Sequence, residues 1–301
     1  MKICLVVGTD LKSTETRIMH QLVPYLESLG AKVLINECYE DFDFIIGGTV
    51  GVAREIRDMH NRFPNIKMIN YVWDLYPWVV ESNMYDFNTY VELLQSSIEI
   101  WCPSTEVAIR LQEFYQLSHK CNIIKSYAEF YEDDKNLLAN NNFIYHPVRP
   151  YKDPNSRILD KVCDKIGYEL FRGGDTHKLT YDQYKEKVLT CSFLITEYHE
   201  ASTGGLTLLE GYYHGKDVLI SDSPYQGGRD YLGNRAYYFK DGDVEDLEEK
   251  VKMLWNKSQT YKISQEELQE RREYCSQFHI EMMANNIIQQ LKYLHGANIL
   301  Y

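Results

Sequence analysis

The sequence predicts an α/β protein built as two Rossmann-like halves, and three observations predict it. Short apolar runs rich in β-branched residues recur along the chain and alternate with segments whose apolar residues return every three or four positions. That alternation is what buried parallel strands joined by crossover helices produce. The pattern breaks once, between about residues 127 and 142, and then starts again. The 301 residues suit one large domain or two small ones, so the break reads as a linker between two α/β units.

The elements follow in order. Ile3 to Val7 is apolar and ends at Gly8, which predicts a first buried strand and a turn. A polar loop with Thr9, Asp10, Ser13 and Thr14 leads into Ile18, Leu22, Leu26 and Leu29 at helical spacing, and Gly30 closes that helix. Lys32 to Ile35 completes a βαβ unit. A strand at Phe42 to Ile46, a helix at Val52 to Phe63 and strands at Lys67 to Val72 and Glu99 to Cys102 come next. A Pro-Ser helix start precedes Glu106 to Tyr115, and Cys121 to Lys125 reads as a short strand. Glu132, Asp133, Asp134 and Lys135, followed by Asn140, Asn141 and Asn142, form the candidate linker.

The second series opens with a strand at Phe143 to Tyr145 and a helix at Ser156 to Ile166. A strand at Tyr168 to Phe171, a helix at Tyr181 to Leu189 and a strand at Ser192 to Thr196 follow. Then come a helix at Leu206 to Tyr213 and strands at Val218 to Ser221 and Ala236 to Phe239. Helices at Val244 to Trp255, Gln265 to Phe278 and Met282 to Leu294 finish the chain. The reading divides it into an N-terminal domain of 1–138, a C-terminal domain of 139–280 and a last helix at 281–301. In open parallel sheets ligands bind beyond the carboxyl ends of the strands, so the loops there hold the candidate site.

Composition narrows the function. The formal net charge of −12 disfavours a broadly basic nucleic-acid binder, because phosphate binding draws on Lys and Arg. The seven cysteines (Cys4, Cys38, Cys102, Cys121, Cys163, Cys191 and Cys275) are odd in number and include no CxxC pair. That argues against a zinc cage or a disulfide framework and predicts buried thiols in a reducing cytoplasm. No apolar stretch is long enough for a transmembrane helix, and the opening run is too short for a signal peptide. The sequence has no P-loop, no G-x-S-x-G elbow and no G-x-G-x-x-G after the first strand, which disfavours a P-loop ATPase, a serine hydrolase and a dinucleotide-dependent enzyme.

The informative stretch is Ser202-Thr203-Gly204-Gly205-Leu206-Thr207-Leu208-Leu209-Glu210. A predicted strand precedes it and a helix begins inside it. Two glycines let a ligand approach the backbone, and the unpaired amides of a helix start favour an anion, typically a phosphate. Glu210 follows Leu206 by one turn on the same face. It is too far along to touch that phosphate, but it can accept from neighbouring hydroxyls such as those of a ribose. A nucleotide ligand accounts for both features. So does the plainer reading, a glycine-rich turn feeding a surface helix, and the residues alone leave the two even.

This stretch resembles the donor-site signature of the retaining family-four glycosyltransferases of the GT-B fold: a Glu, a Gly-Phe-Gly-Leu run, and a second Glu. Gly205, Leu206 and Glu210 match its second half. Gly215-Lys216-Asp217-Val218-Leu219-Ile220-Ser221 is similar to the family's Gly-Lys-Pro-Val-Ile strand, and Gly227-Gly228-Arg229-Asp230-Tyr231-Leu232 to its Gly-Gly-x-Glu-x-Val turn. Weaker similarity extends to Gly8 and its loop, to Trp73-Asp74-Leu75-Tyr76-Pro77, to Trp101-Cys102-Pro103-Ser104 and to Phe278-His279-Ile280-Glu281. The resemblance implies two Rossmann-like domains facing each other across a cleft, with the C-terminal helix returning to the N-terminal domain.

The resemblance also implies roles. Arg149 and Lys152 would hold the donor diphosphate and stabilise charge growing on the leaving oxygen, although two surface cations among prolines fit them equally well. Gly8, Thr9, Ser202, Thr203, Gly204, Gly205 and Leu206 would line the donor site, and Glu210 would take the ribose. Asp74 would act on the acceptor as a base, or merely cap a helix. No cofactor and no metal would be required beyond the nucleoside diphosphate sugar itself. Two departures stand out: Ser202 occupies the place of the family's first Glu, and Trp73 that of its His. The expected function is therefore sugar transfer, as in a soluble cytoplasmic enzyme, from a nucleotide sugar, a UDP-sugar among them. The acceptor is a small molecule, a glycan or, as in compact phage enzymes, a hydroxymethylated DNA base. The alternatives are a nucleotide-sugar-binding protein without turnover and a sugar-nucleotide epimerase of the same fold.

Overall fold

A computed structural model of the chain describes residues 1–11, 14–48, 50–73, 87–117, 121–131, 142–147, 156–173, 179–196, 205–223 and 226–296. The chain divides into two compact units, Met1–Tyr127 with Ile280–Tyr301, and Ala128–His279. The sequence-predicted boundary at 138 lies outside the described residues.

In the first unit the strands are β1 (Lys2–Val6), β2 (Lys32–Ile35), β3 (Phe44–Gly47), β4 (Lys67–Tyr71), β5 (Glu99–Cys102) and β6 (Cys121–Ile123). Among the described residues they form one six-stranded sheet in the order β2-β1-β3-β4-β5-β6, each pair parallel. The helices are α1 (Thr14–Ser28), α2 (Ala53–Arg62), α3 (Phe87–Ser96) and α4 (Thr105–Tyr115). Strand residues alternate between faces. Cys4, Val6, Ile45, Met68, Ile100 and Cys102 join Ile56, Leu93, Leu94, Val107 and Leu111 in one core. Their neighbours Ile3, Leu5, Phe44 and Ile69 are buried too, so both faces of the sheet are covered, as a parallel sheet requires. Helix α3 is absent from the sequence reading above, although Tyr90, Leu93 and Leu94 carry the spacing of a buried helical stripe.

The last helix, α11 (Ile280–Gly296), belongs to this first unit. It buries Met283, Ala284, Ile287, Ile288 and Leu291 along one face and packs against α1. Gln290 Nε2 donates to both carboxylate oxygens of Glu99, at 2.8 and 3.0 Å. Lys67 Nζ donates to the Leu294 carbonyl at 2.9 Å, placing a cation where the helix leaves carbonyls without amide partners.

The second unit holds β7 (Phe143–His146), β8 (Glu169–Arg172), β9 (Phe193–Thr196), β10 (Asp217–Ser221) and β11 (Tyr237–Phe239). Among the described residues they form a five-stranded parallel sheet in the order β11-β10-β9-β7-β8. Its helices are α5 (Ser156–Ile166), α6 (Tyr181–Thr190), α7 (Leu206–Tyr213), α8 (Gly228–Leu232), α9 (Val244–Thr260) and α10 (Gln265–Cys275). Alternation again splits the core. Tyr145, Leu194, Val218 and Ile220 pack with Leu208 and Leu209 of α7, while Phe193, Ile195 and Leu219 pack with Leu159, Val251 and Leu254 of α5 and α9. The short α8 occupies what the sequence reads as a Gly-Gly turn. The helix expected at Gln265 to Phe278 ends at Cys275 and tightens into a 3-10 turn at Ser276–Phe278. Among the described residues no helix is long and apolar enough to cross a membrane.

Candidate nucleotide-sugar site

The site is built at the start of α7, beyond the carboxyl end of β9. Gly205 precedes the helix with φ −87° and ψ −6°, and no side chain caps it. The first-turn amides are thus not consumed by a side-chain cap, which is the condition for an external anion to use them. Gly205 itself is buried against α8. A Cβ there would lie 2.6 Å from Tyr231 Cδ2, 3.0 Å from its Cγ and 3.1 Å from Gly228 Cα. Glycine is therefore required by packing rather than by an unusual backbone angle.

One turn on, Glu210 is 7% exposed. A carboxylate buried this far needs hydrogen-bond donors. Tyr184, on α6, supplies one: its hydroxyl donates to Glu210 Oε2 and lies 2.9 Å from Thr207 Oγ1. A phenol carries one proton, and the carboxylate is the stronger acceptor. The Thr207 hydroxyl then donates to the phenol oxygen, giving a chain from Thr207 through Tyr184 to Glu210. Helix α6 is fixed at its start by a reciprocal capping box, Gln183 N to Thr180 Oγ1 at 3.3 Å and Thr180 N to Gln183 Oε1 at 2.9 Å. Tyr184 follows that box directly.

Two further phenols, Tyr131 and Tyr145, lie close enough to feel the carboxylate's charge. Tyr131 stacks on His214 (ring centres 4.5 Å apart, planes 28°), and Lys185 Nζ sits 5.9 Å from the centre of the Tyr131 ring. The Tyr131 hydroxyl oxygen is buried without a hydrogen-bond partner. Burial, and then the Glu210 charge, push the phenols of both Tyr131 and Tyr184 far above the ordinary tyrosine value. Both therefore stay protonated and remain donors. The patch is an uncapped helix start followed by one buried carboxylate held by a neutral phenol, which suits a ligand carrying both phosphate and hydroxyl groups.

The sequence-predicted site residues fall into three groups. Gly205, Leu206 and Glu210 lie together on α7 in the second unit. Gly8 and Thr9 lie in the first unit, at the carboxyl end of β1. There, His20 Nε2 is 3.3 Å from the Gly8 carbonyl, and a Cβ on Gly8 would meet Thr16 Oγ1 at 2.9 Å, so this loop is held tightly to α1. Asp74, Arg149, Lys152, Ser202, Thr203 and Gly204 lie outside the described residues. Tyr184, Thr207 and Tyr131 were missed by sequence reasoning. Tyr184 and Thr207 belong to expected helices and Tyr131 to the expected break, but nothing in sequence spacing pairs α6 with α7.

A separate cavity of about 470 Å³ opens in the second unit beside Asp217 and Tyr237, the first residues of β10 and β11. It therefore lies at the amino ends of the strands, opposite the end where α7 begins. Its wall is a closed ion network: Arg271 reaches Asp217 at 3.1 Å and Glu267 at 2.7 Å, and Lys257 reaches Asp217 at 2.8 Å.

The sequence matches no protein-family model and no curated protein. Its fold does match solved structures. The Anabaena HepE protein in complex with UDP and glucose superposes with a TM-score of 0.68 at 11% identity, covering 97% of this chain and 100% of that one. Sucrose-phosphate synthase from Thermosynechococcus elongatus gives 0.69 at 12% identity over 99% of this chain and 100% of that one. The lipopolysaccharide outer core galactosyltransferase WaaB gives 0.65 at 9% identity over 98% and 100%. At such identities the likeness is one of fold, and the fold of this chain is that of the GT-B glycosyltransferases.

Proposed function

We propose that this protein is a glycosyltransferase that takes its sugar from a nucleoside diphosphate sugar, with retention of configuration. The observation that carries the reading is the α7 start: an uncapped helix N-terminus behind Gly205, with buried Glu210 one turn along and held by a phenol. A phosphate fits the first feature and a ribose diol the second. HepE crystallised with UDP and with UDP-glucose, which makes UDP-sugars the first donors to test.

In this reading Arg149, Lys152 and the α7 amides hold the diphosphate while its bond to the anomeric carbon breaks, and no metal is needed for that charge. The new bond forms to an acceptor hydroxyl whose proton passes to a base, for which Asp74 is the candidate. The acceptor is a glycan or a small molecule; the net charge of −12 weighs against a DNA base. Seven cysteines, all free, fit a reducing cytoplasm.

The test is binding and turnover of UDP-glucose by the pure protein, wild type against Glu210→Ala. Loss of a charged acceptor for the ribose hydroxyls should weaken UDP binding about ten- to a hundred-fold. Equal affinity in the two proteins would remove the ribose assignment. The second reading, binding without turnover, rests on Ser202 and Trp73 standing where the resembled family has Glu and His. It predicts tight UDP-glucose binding with no release of UDP under any acceptor.

A further inference from the structure

The Tyr184 hydroxyl has no role in the donor-site pattern described above, yet it donates directly to the Glu210 carboxylate. Three observations bear on what it does. The bond is made across two helices, 26 residues apart in sequence, so it fixes the carboxylate relative to α6 rather than within α7. The same hydroxyl is 2.9 Å from Thr207, in the first turn of α7, so it links the anion-binding end of that helix to the carboxylate one turn on. The start of α6 is itself locked by a capping box immediately before Tyr184, which gives the phenol a rigid base.

A glutamate at this depth has three side-chain torsions to lose on binding, and a carboxylate held in one orientation by a neighbouring donor loses less than a free one. We propose that Tyr184 is a positioning residue of the donor site. By donating to Glu210 Oε2 it holds the carboxylate in the orientation that accepts the two ribose hydroxyls, and through Thr207 it ties that orientation to the phosphate-binding turn. Tyr184 does not touch the reacting atoms. The inference rests on the reading of Glu210 as the ribose ligand. It adds that discrimination between a ribose and a sugar lacking the diol depends on a residue of the neighbouring helix.

The experiment is calorimetric titration with two probes, UDP and 2′,3′-dideoxyuridine 5′-diphosphate. The proteins are wild type, Tyr184→Phe, Glu210→Ala and the double variant. Tyr184→Phe should weaken UDP binding about tenfold while changing affinity for the dideoxy probe less than threefold. The double variant should bind UDP no more weakly than Glu210→Ala alone, because the phenol acts only through the carboxylate. Thr207→Val keeps the phenol and removes its donor; it should weaken UDP binding by a smaller factor in the same direction, and it serves if Tyr184→Phe does not fold. Equal losses for both probes in Tyr184→Phe would mark a merely structural role and overturn the proposal. So would a loss in Glu210→Ala with none in Tyr184→Phe, and that result would leave the ribose reading standing. No effect of Glu210→Ala, or no binding of UDP by wild type, would overturn both.

Discussion

Gly205→Ala sets two effects against each other at the start of α7. At φ −87° and ψ −6° the backbone suits alanine, and replacing glycine there restricts the unfolded chain, which stabilises by about 0.4–1 kcal/mol. Against that, the new methyl would sit 2.6 Å from Tyr231 Cδ2 and 3.0 Å from its Cγ. Cγ is one bond from the Tyr231 Cβ, so the ring cannot swing clear at its far end. The residue is held besides, with its carbonyl accepting from the Tyr274 hydroxyl and its ring 5.4 Å from that of Phe278. The third contact, Gly228 Cα at 3.1 Å, is main chain. Overpacking a filled core costs about 1–3 kcal/mol, so the clash wins by roughly 1–2 kcal/mol. For a protein of this size that lowers Tm by about 2–8 °C, readable by calorimetry or as a drop in urea midpoint at constant slope. An unchanged or raised Tm would refute the claim that packing, rather than backbone conformation, requires glycine at 205.

Other predictions follow from the same neighbourhood and from the ion network. Tyr131→Phe removes a buried hydroxyl that has no partner, so the apo protein should gain roughly 1 kcal/mol and melt a few degrees higher; a lower melting temperature would mean the hydroxyl is bonded. For Glu267, burial alone would raise the carboxyl pKa, but the Tyr261 hydroxyl and Arg271 more than offset it and leave the net shift downward. A carboxyl with a lowered folded value stabilises above its ordinary value of about 4.5 and loses that contribution as pH falls through the folded value. Glu267→Gln should therefore narrow the gap in Tm between pH about 6 and pH about 4, and an unchanged gap would show that other carboxylates control acid unfolding. The effects of Glu210→Ala and Tyr184→Phe on UDP affinity complete the set.

Much of the fold was legible because a strand buried on both faces must be apolar throughout. Ile3, Cys4 and Leu5, or Phe193, Leu194 and Ile195, announce themselves by having no polar face at all. Helix α3 was missed for a related reason. Its stripe of Tyr90, Leu93 and Leu94 is short, and Phe87–Ser96 has neither an acidic first turn nor a basic last turn to mark its ends. At the site, Leu206 and Glu210 could be related because one helix turn separates them, with Gly205 just before the helix. Tyr184 could not: a sequence with 25 tyrosines gives no reason to single one out, and its partner stands 26 residues away on another helix. Periodicity tells which residues share a face of one helix, but not which helix that face meets.

The return of α11 to the first unit has a consequence for how the molecule is made. Because Ile280–Tyr301 completes the unit that Met1 begins, the whole of Ala128–His279 is an insertion within it. During synthesis the inserted unit leaves the ribosome entire and can close on its own, while the older part of the chain waits for its last seventeen-residue helix. Until Gln290 reaches Glu99 and the Leu294 carbonyl reaches Lys67, the α1 face that α11 covers stands open to solvent. Residues of Met1–Tyr127 are thus sealed only after the inserted unit has been made, and a chain cut short before Ile280 would be damaged in that earlier part.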